Sequence, residues 1–248
     1  MKVIFDKSKK NSGYMELTNS AENSKAQLYI YGDICGSKWD KWTDDDKCPQ
    51  DIADLLNSID ANSDVDVYIN SGGGSVFGAL AIVSQLSRHN GKKTAYVDGL
   101  AASAASIIAL ACDEVIMNNA AQIMIHKPLV YVGYGNADDL RELADMLDKT
   151  QESILDVYMT KVKDGVTRDE IVEMVNAETW LKGDEAAEIF DITLNDLREA
   201  VACSSGYFGK YKNTPKVFKT AKDTDKDKSK NVTLKNKLQM QLDLLSID

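Results

Sequence analysis

The sequence predicts an α/β fold, and three observations carry that prediction. Short segments alternate polar and apolar residues, longer segments repeat apolar residues at helical spacing, and the two kinds follow each other along the chain. Gln27 to Tyr31 and Val65 to Asn70 (VDVYIN) have the two-residue period of strands. Between them, Ile52, Leu55, Leu56 and Ile59 fall on one face of a helix over Asp51 to Ile59. From Val76 onward, Phe77, Leu80, Val83 and Leu86 mark a second helix that stops near Asn90-Gly91, a helix-ending pair. Thr94 to Val97 is a strand, the small-residue run Ala101 to Ala111 reads as a closely packed helix, and short strands follow around Glu114 to Met117 and Gln122 to Ile125.

After a GYGN turn at Gly133 to Asn136, the pattern changes. Leu140, Leu143, Leu147, Ile154, Leu155 and Tyr158 trace a long helix over Ala137 to Val162 that is expected to project from the body. Helices over Arg168 to Val175 and Asp184 to Phe190 close the ordered region. Beyond Cys203 the chain is polar and charged and reads as a linker, until Leu234, Leu238, Leu242 and Leu245 restore helical spacing. The expected organisation is an N-terminal arm over 1–26, a folded body over 27–200, a charged linker over 201–231 and an amphipathic helix over 232–248.

The 248 residues suffice for a substantial core, and 44% hydrophobic with 27% charged residues are ordinary for a globular protein. No apolar run approaches the ~20 residues that span a bilayer, and the N-terminus lacks a signal-peptide core, so a cytoplasmic protein without membrane contact is expected. Cys35, Cys48, Cys112 and Cys203 form no C-x-x-C pair and have only two histidines for company, a pattern that indicates neither zinc nor a redox motif. A net charge of −10 argues against nucleic acid as a partner of the whole chain. The charge is uneven: Gly206 to Asp248 holds ten Lys and five Asp, or +5, which leaves −15 on the preceding 205 residues. The lysine-rich tail with its leucine-spaced end is expected to be a tethered docking element for a partner helix.

Three local signals bear on chemistry. NSGGGSV at Asn70 to Val76 puts three glycines between a strand and a helix, where backbone amides can face an oxyanion or an extended peptide, although a plain turn has the same look. Phosphate binding is disfavoured, because the loop has neither the G-x-x-x-x-G-K-[ST] nor the G-x-G-x-x-G pattern. GLAASAAS at Gly99 to Ser106 places Ser103 just past a strand at the start of a helix, as acyl transfer requires, while Ser106, one turn later, is expected to pack inward. MIHKP at Met124 to Pro128 ends an apolar strand in His126. Most histidines so placed are structural. The only other imidazole is His89, at a polar helix end, so a reactive serine would have to use His126 as its base.

Taken in order, YINSGGGSV, GLAASAAS, MIHKP and AETWLKGDEA resemble the proteolytic subunit of the Clp protease, and more closely its phage relatives of head maturation, over Leu28 to Leu197. The resemblance implies a ClpP/crotonase-like fold of stacked ββα units with a protruding helical handle, and a serine endopeptidase assembled as homo-oligomeric rings. It also implies Ser103 as nucleophile, His126 as general base, Glu178 where the family has an aspartate, and Asn176 as a weaker alternative orienter. The amides of Gly74 and Ala104 match the oxyanion donors. Gly73 and Ser75 in the glycine loop, with Leu129 and Val130 after the histidine, match the edges that pair with substrate. Gly72 stands where the family typically has proline, a change expected to loosen the loop.

No cofactor or metal is implied. Protein or peptide substrates are, together with capsid or scaffold proteins in a phage or prophage setting and an external ATPase, since the chain carries no ATP-binding motif. Two other readings remain at this point: a noncatalytic ring-forming assembly factor, and a crotonase-like acyl-CoA enzyme, which would not need the serine and histidine together.

Overall fold

The computed structural model describes residues 25–195, 203 and 205–219. All but the last two residues of the expected N-terminal arm, and the whole of the expected helix over 232–248, lie outside them. Four strands, β1 (Ala26–Ile30), β2 (Val65–Ser71), β3 (Lys93–Ala102) and β4 (Glu114–Asn118), pair in parallel in chain order, and β7 (Thr193–Asn195) extends the row on β4. Parallel neighbours need a crossover between them, and helices α1 (Pro49–Ser58), α2 (Val76–Arg88) and α3 (Ala104–Leu110) supply it. The result is the mixed α/β class that the alternation predicts.

The period of two along these strands sorts their side chains. Leu28, Ile30, Val65, Val67, Ile69, Ala95 and Val97 are buried and join Ile52, Ile82 and Ile107 of the helices in one hydrophobic core. Removing this apolar area from water is the main term that holds the layers together. The opposite face carries Tyr29, Tyr68 and Tyr96, which share one register and stack at centroid distances of 4.8 and 5.0 Å.

β3 forks. Its first half, Thr94 to Val97, pairs with β4, whereas Leu100 to Ala102 pair with β5 (Gln122–Ile125). β5 in turn pairs antiparallel with β6 (Thr179–Lys182). The expected helix over Ala101 to Ala111 therefore begins later, at Ala104. Ala101 is paired with both Ser71 and Ile123, and two strand partners outweigh the few tenths of a kcal/mol by which alanine prefers a helix. β6, of four residues, and β7, of three, were not anticipated.

The long helix α4 (Ala137–Met159) starts in a capping box: Asn136 accepts from the amides of Asp138 and Asp139, and the Asp139 carboxylate accepts from the Asn136 amide. No residue from Ala137 to Lys149 is buried, while Thr150, Ile154, Leu155 and Tyr158 are, so the first half of the helix stands out from the body. Helices α5 (Arg168–Ala177) and α6 (Gly183–Ile189) flank β6.

The chain divides into two compact units, Met1–Asn213 and Thr214–Asp248, and of the second the described part holds a single helical turn, α7 (Lys216–Lys219). Within the charged linker expected over 201–231, residues 205–213 are packed against the body. Phe208 and Tyr211 are buried, at 3% and 6% exposure, and this segment returns to the first unit's own loops. Tyr207, Phe208 and Tyr211 offer apolar area that the surrounding lysines mask in any average of composition.

Candidate active site

The fork in β3 decides where the site forms. Ala102 of β3 is level with Met124 of β5, and the Ser103 amide donates to the Met124 carbonyl at 2.8 Å. One residue past each strand lie Ser103 and His126. Ser103 has φ 54° and ψ −122°, a conformation that a non-glycine residue adopts at a cost of about 1–3 kcal/mol. The pairing behind it and α3 ahead of it impose that turn. The turn aims the hydroxyl at the imidazole, and Oγ lies 2.6 Å from His126 Nε2.

Both side chains are buried. Burial, the larger effect, lowers the His126 pKa to about 4, and the nearby Glu178 carboxylate only partly offsets it. The ring is therefore neutral at pH 7, and Nε2 can accept a proton from the hydroxyl. Ser106 faces inward as expected, donating to the Ser103 carbonyl at 2.6 Å and pairing with the Tyr158 hydroxyl at 2.7 Å. His89 caps α2 and holds the Ser63 carbonyl at 2.6 Å, so its place is structural.

Register also explains Glu178. Antiparallel pairing sets Ile125 opposite Thr179, and one step further brings Glu178 level with His126. Glu178 is buried at the end of α5 with φ 55°, in the left-handed region. Among the described residues, however, no hydrogen bond joins its carboxylate to the imidazole. The two oxygens accept instead from the backbone amides of Lys212, at 2.8 Å, and Asn213, at 2.5 Å. Asn176 is exposed on α5 and makes no described contact with the ring.

The amides of Gly74 in the glycine loop and of Ala104 at the start of α3 have no acceptor among the described residues. Gly74 has φ 146°, and a Cβ there would lie 2.1 Å from the Ile34 carbonyl oxygen. Gly73 does not reach the cleft: it packs behind the Ser103 turn, gives its carbonyl to the Ile34 amide and donates its own amide to the Ser71 hydroxyl. Gly72 has a φ that residues with side chains also adopt. A Cβ on it would lie 2.3 Å from Ser205, so the missing side chain makes room for the returning segment.

A cleft of about 640 Å³ opens on Ser103 and His126, bounded by Gly74, Ser75, Leu129 and Val130. Tyr207, Lys210 and Tyr211 form another part of its wall, a contribution that the sequence reading missed. Tyr211 packs edge-on against His126 at 5.0 Å, and its hydroxyl donates to the Gly72 carbonyl at 2.5 Å. Burial pushes its phenol pKa up, with the Ser103 hydroxyl partly offsetting the rise, so the group stays protonated. The one available signal was the clustering of Tyr207, Phe208 and Tyr211 within five residues of a polar tail. Among the described residues, no group of three or more His, Cys, Asp or Glu side chains has the arrangement of a metal site, and no helix is long and apolar enough to cross a membrane.

Comparison with known proteins gives a consistent result. The sequence profile of the Clp protease family matches residues 40–189. Similar proteins include the ATP-dependent Clp protease proteolytic subunit 1 of Chlamydia abortus, 35% identical over 123 residues, which cover 48% of this chain and 63% of that protein. The corresponding subunit 1 of Protochlamydia amoebophila is 31% identical over 149 residues, covering 58% of this chain and 71% of its own length. The ATP-dependent Clp protease proteolytic subunit of Ligilactobacillus salivarius is 33% identical over 141 residues, 54% of this chain and 67% of its own. The chain thus spans under two thirds of the Chlamydia abortus relative.

Proposed function

The chain belongs to the Clp protease family, and from that premise we propose that it is a serine endopeptidase in which Ser103 is the nucleophile and His126 the general base. The observation that carries this reading is the 2.6 Å contact between Ser103 Oγ and His126 Nε2 at a strained strand-to-helix turn. Oγ attacks the scissile carbonyl while Nε2 takes its proton, and the amides of Gly74 and Ala104 receive the developing oxyanion. His126 then gives the proton to the leaving amine, and the acyl group stays on Ser103. Water, deprotonated by the same imidazole, releases the acyl group as a carboxylic acid. Glu178 is the acid of this set, stabilising the imidazolium through its charge.

Substrate enters as an extended peptide along the glycine loop, where Ser75 lines the cleft with its own amide given to the Ile34 carbonyl, and along Leu129 and Val130, both more than a third exposed beside the cleft. The projecting half of α4 and the GYGN turn before it, with Tyr134 exposed, are the handle through which opposed rings of copies interlock. The biological setting we propose is cytoplasmic processing of capsid or scaffold precursors of a phage or prophage, which the order and wording of the four motifs favour. The test is labelling by a fluorophosphonate: Ser103 should be modified and Ser103→Ala should not. Labelling that persists in the variant overturns the assignment. Portal and major capsid genes beside this one, and cleavage of their precursor by the purified protein, test the setting.

A further inference from the structure

Residues 205–213 are held by contacts to the glycine loop and Asp33, and by contacts to His126 and Glu178 of the proposed catalytic set. Ser205 Oγ donates to Asp33 at 2.6 Å and rests on Gly72, where a side chain would collide with it. Phe208 is buried, and the Tyr211 ring lies between His126 and Trp180, with centroids 5.0 and 6.2 Å away. The Tyr211 hydroxyl takes the Gly72 carbonyl, which lies on the loop that an incoming peptide would use for its backbone hydrogen bonds. The next two amides then occupy both oxygens of Glu178, the carboxylate that register has placed level with His126.

We propose that residues 205–213 are a latch, a segment of this chain that docks in its own active-site cleft and holds the peptidase in a resting state. It acts in two ways. Tyr211 fills space beside Ser103 and His126, and the Lys212 and Asn213 amides keep Glu178 from hydrogen-bonding the imidazole. The low basicity of the buried ring accords with such a cover, because burial takes the imidazolium out of water and the charge of Glu178 offsets only part of that cost. Opening exchanges these contacts for those of an extended peptide at the same loop, so substrate and latch compete and the resting state is a population that binding shifts. Gly72 belongs to the device, since only a residue without a side chain leaves room for Ser205.

The inference rests on the serine-peptidase reading, and the test separates the two. Full-length chain is compared with Tyr211→Ala, which removes the plug, and with Gly72→Ala, which pushes Ser205 away while the Tyr211 side chain is retained. Hydrogen exchange at the Lys212 and Asn213 amides reports docking, and the rates of fluorophosphonate labelling and short-peptide hydrolysis report the site. The expected result is protected amides in the parent, their release in both variants, and labelling faster by about tenfold, the shift that follows when a resting state of ~90% is emptied. Released amides with slower labelling overturn the latch and make the segment an integral wall of the site. Freely exchanging amides in the parent overturn it as well. Released amides with no labelling in any form strike at the peptidase reading itself, and the latch falls with it.

Discussion

Ser103 and His126 are placed and joined by neighbouring strands, whereas Glu178, set level with His126 by the same register, has its carboxylate held by a segment that returns from much later in the chain. The first two lie one residue beyond β3 and β5, and the ladder that sets their distance also runs through the core. Glu178 leaves α5 in a left-handed conformation and is anchored by amides 34 and 35 residues further on. Register gives a fixed geometry, since a slip by one residue would turn every buried side chain of β5 to the wrong face. Hydrogen bonds from a returning segment give a conditional geometry, since they can be lost without unfolding the sheet. On the proposed reading, register would build in attack and proton transfer, and the charge that assists them would be the adjustable part.

The largest expected effect tests the fixed half. Ser103→Ala should abolish hydrolysis of a fluorogenic peptide, by about 10⁴-fold or more, while leaving the chain folded, because Oγ adds little volume to the core. His126→Ala should do the same; appreciable activity in either variant would break the contrast. The conditional half should respond less. Glu178→Gln keeps the shape and removes the charge, so kcat should fall by about 10²-fold with little change in KM. An unchanged kcat would show that the carboxylate serves only to bind the returning segment.

A pH profile sharpens the comparison. With the latch docked, the His126 pKa of about 4 leaves the base neutral across the usual range, so activity should be flat from about pH 5 to 8 rather than rise near the ordinary histidine value of ~6.5. Tyr211→Ala should bring a rising limb back toward that value, because solvent and Glu178 regain access to the ring. The effect on stability has a definite sign. The folded pKa is depressed, so the neutral ring's contribution is complete above about 6.5 and is lost as pH falls from there to about 4, a trend that urea titrations at several pH values would read. The smallest effect is expected at His89. His89→Ala should leave hydrolysis unchanged and cost about 1 kcal/mol of stability, from the lost bond to the Ser63 carbonyl.

The legible features were those encoded locally. Period-two alternation marked β1 and β2, Ser103 could be named because it follows a strand in a run of small residues, and His126 because it ends an apolar strand and the only other imidazole, His89, lies at a polar helix end. The point at which β3 gives way to α3 was not legible, because alanines suit a helix in isolation and the partner strands that overrule them lie elsewhere in the chain. Glu178 was found by motif, yet its partners were hidden: backbone amides have no side-chain signature, and those of Lys212 and Asn213 sit in a stretch whose composition says solvent. The reason for Gly72 was hidden likewise, since the atom it accommodates belongs to Ser205.

The fork in β3 has a mechanical consequence. One strand serves two neighbours in succession, so the sheet has two flaps hinged on a common spine. The β4 and β7 flap can fray while Leu100 to Ala102 stay zipped to β5. The β5 and β6 flap has no such freedom, because parting from β3 pulls the Met124 carbonyl off the Ser103 amide and dismantles the turn that aims the hydroxyl. Edge opening should therefore be silent to the chemistry, whereas the serine's alignment and the central zipper should fail as one cooperative unit, at one denaturant midpoint.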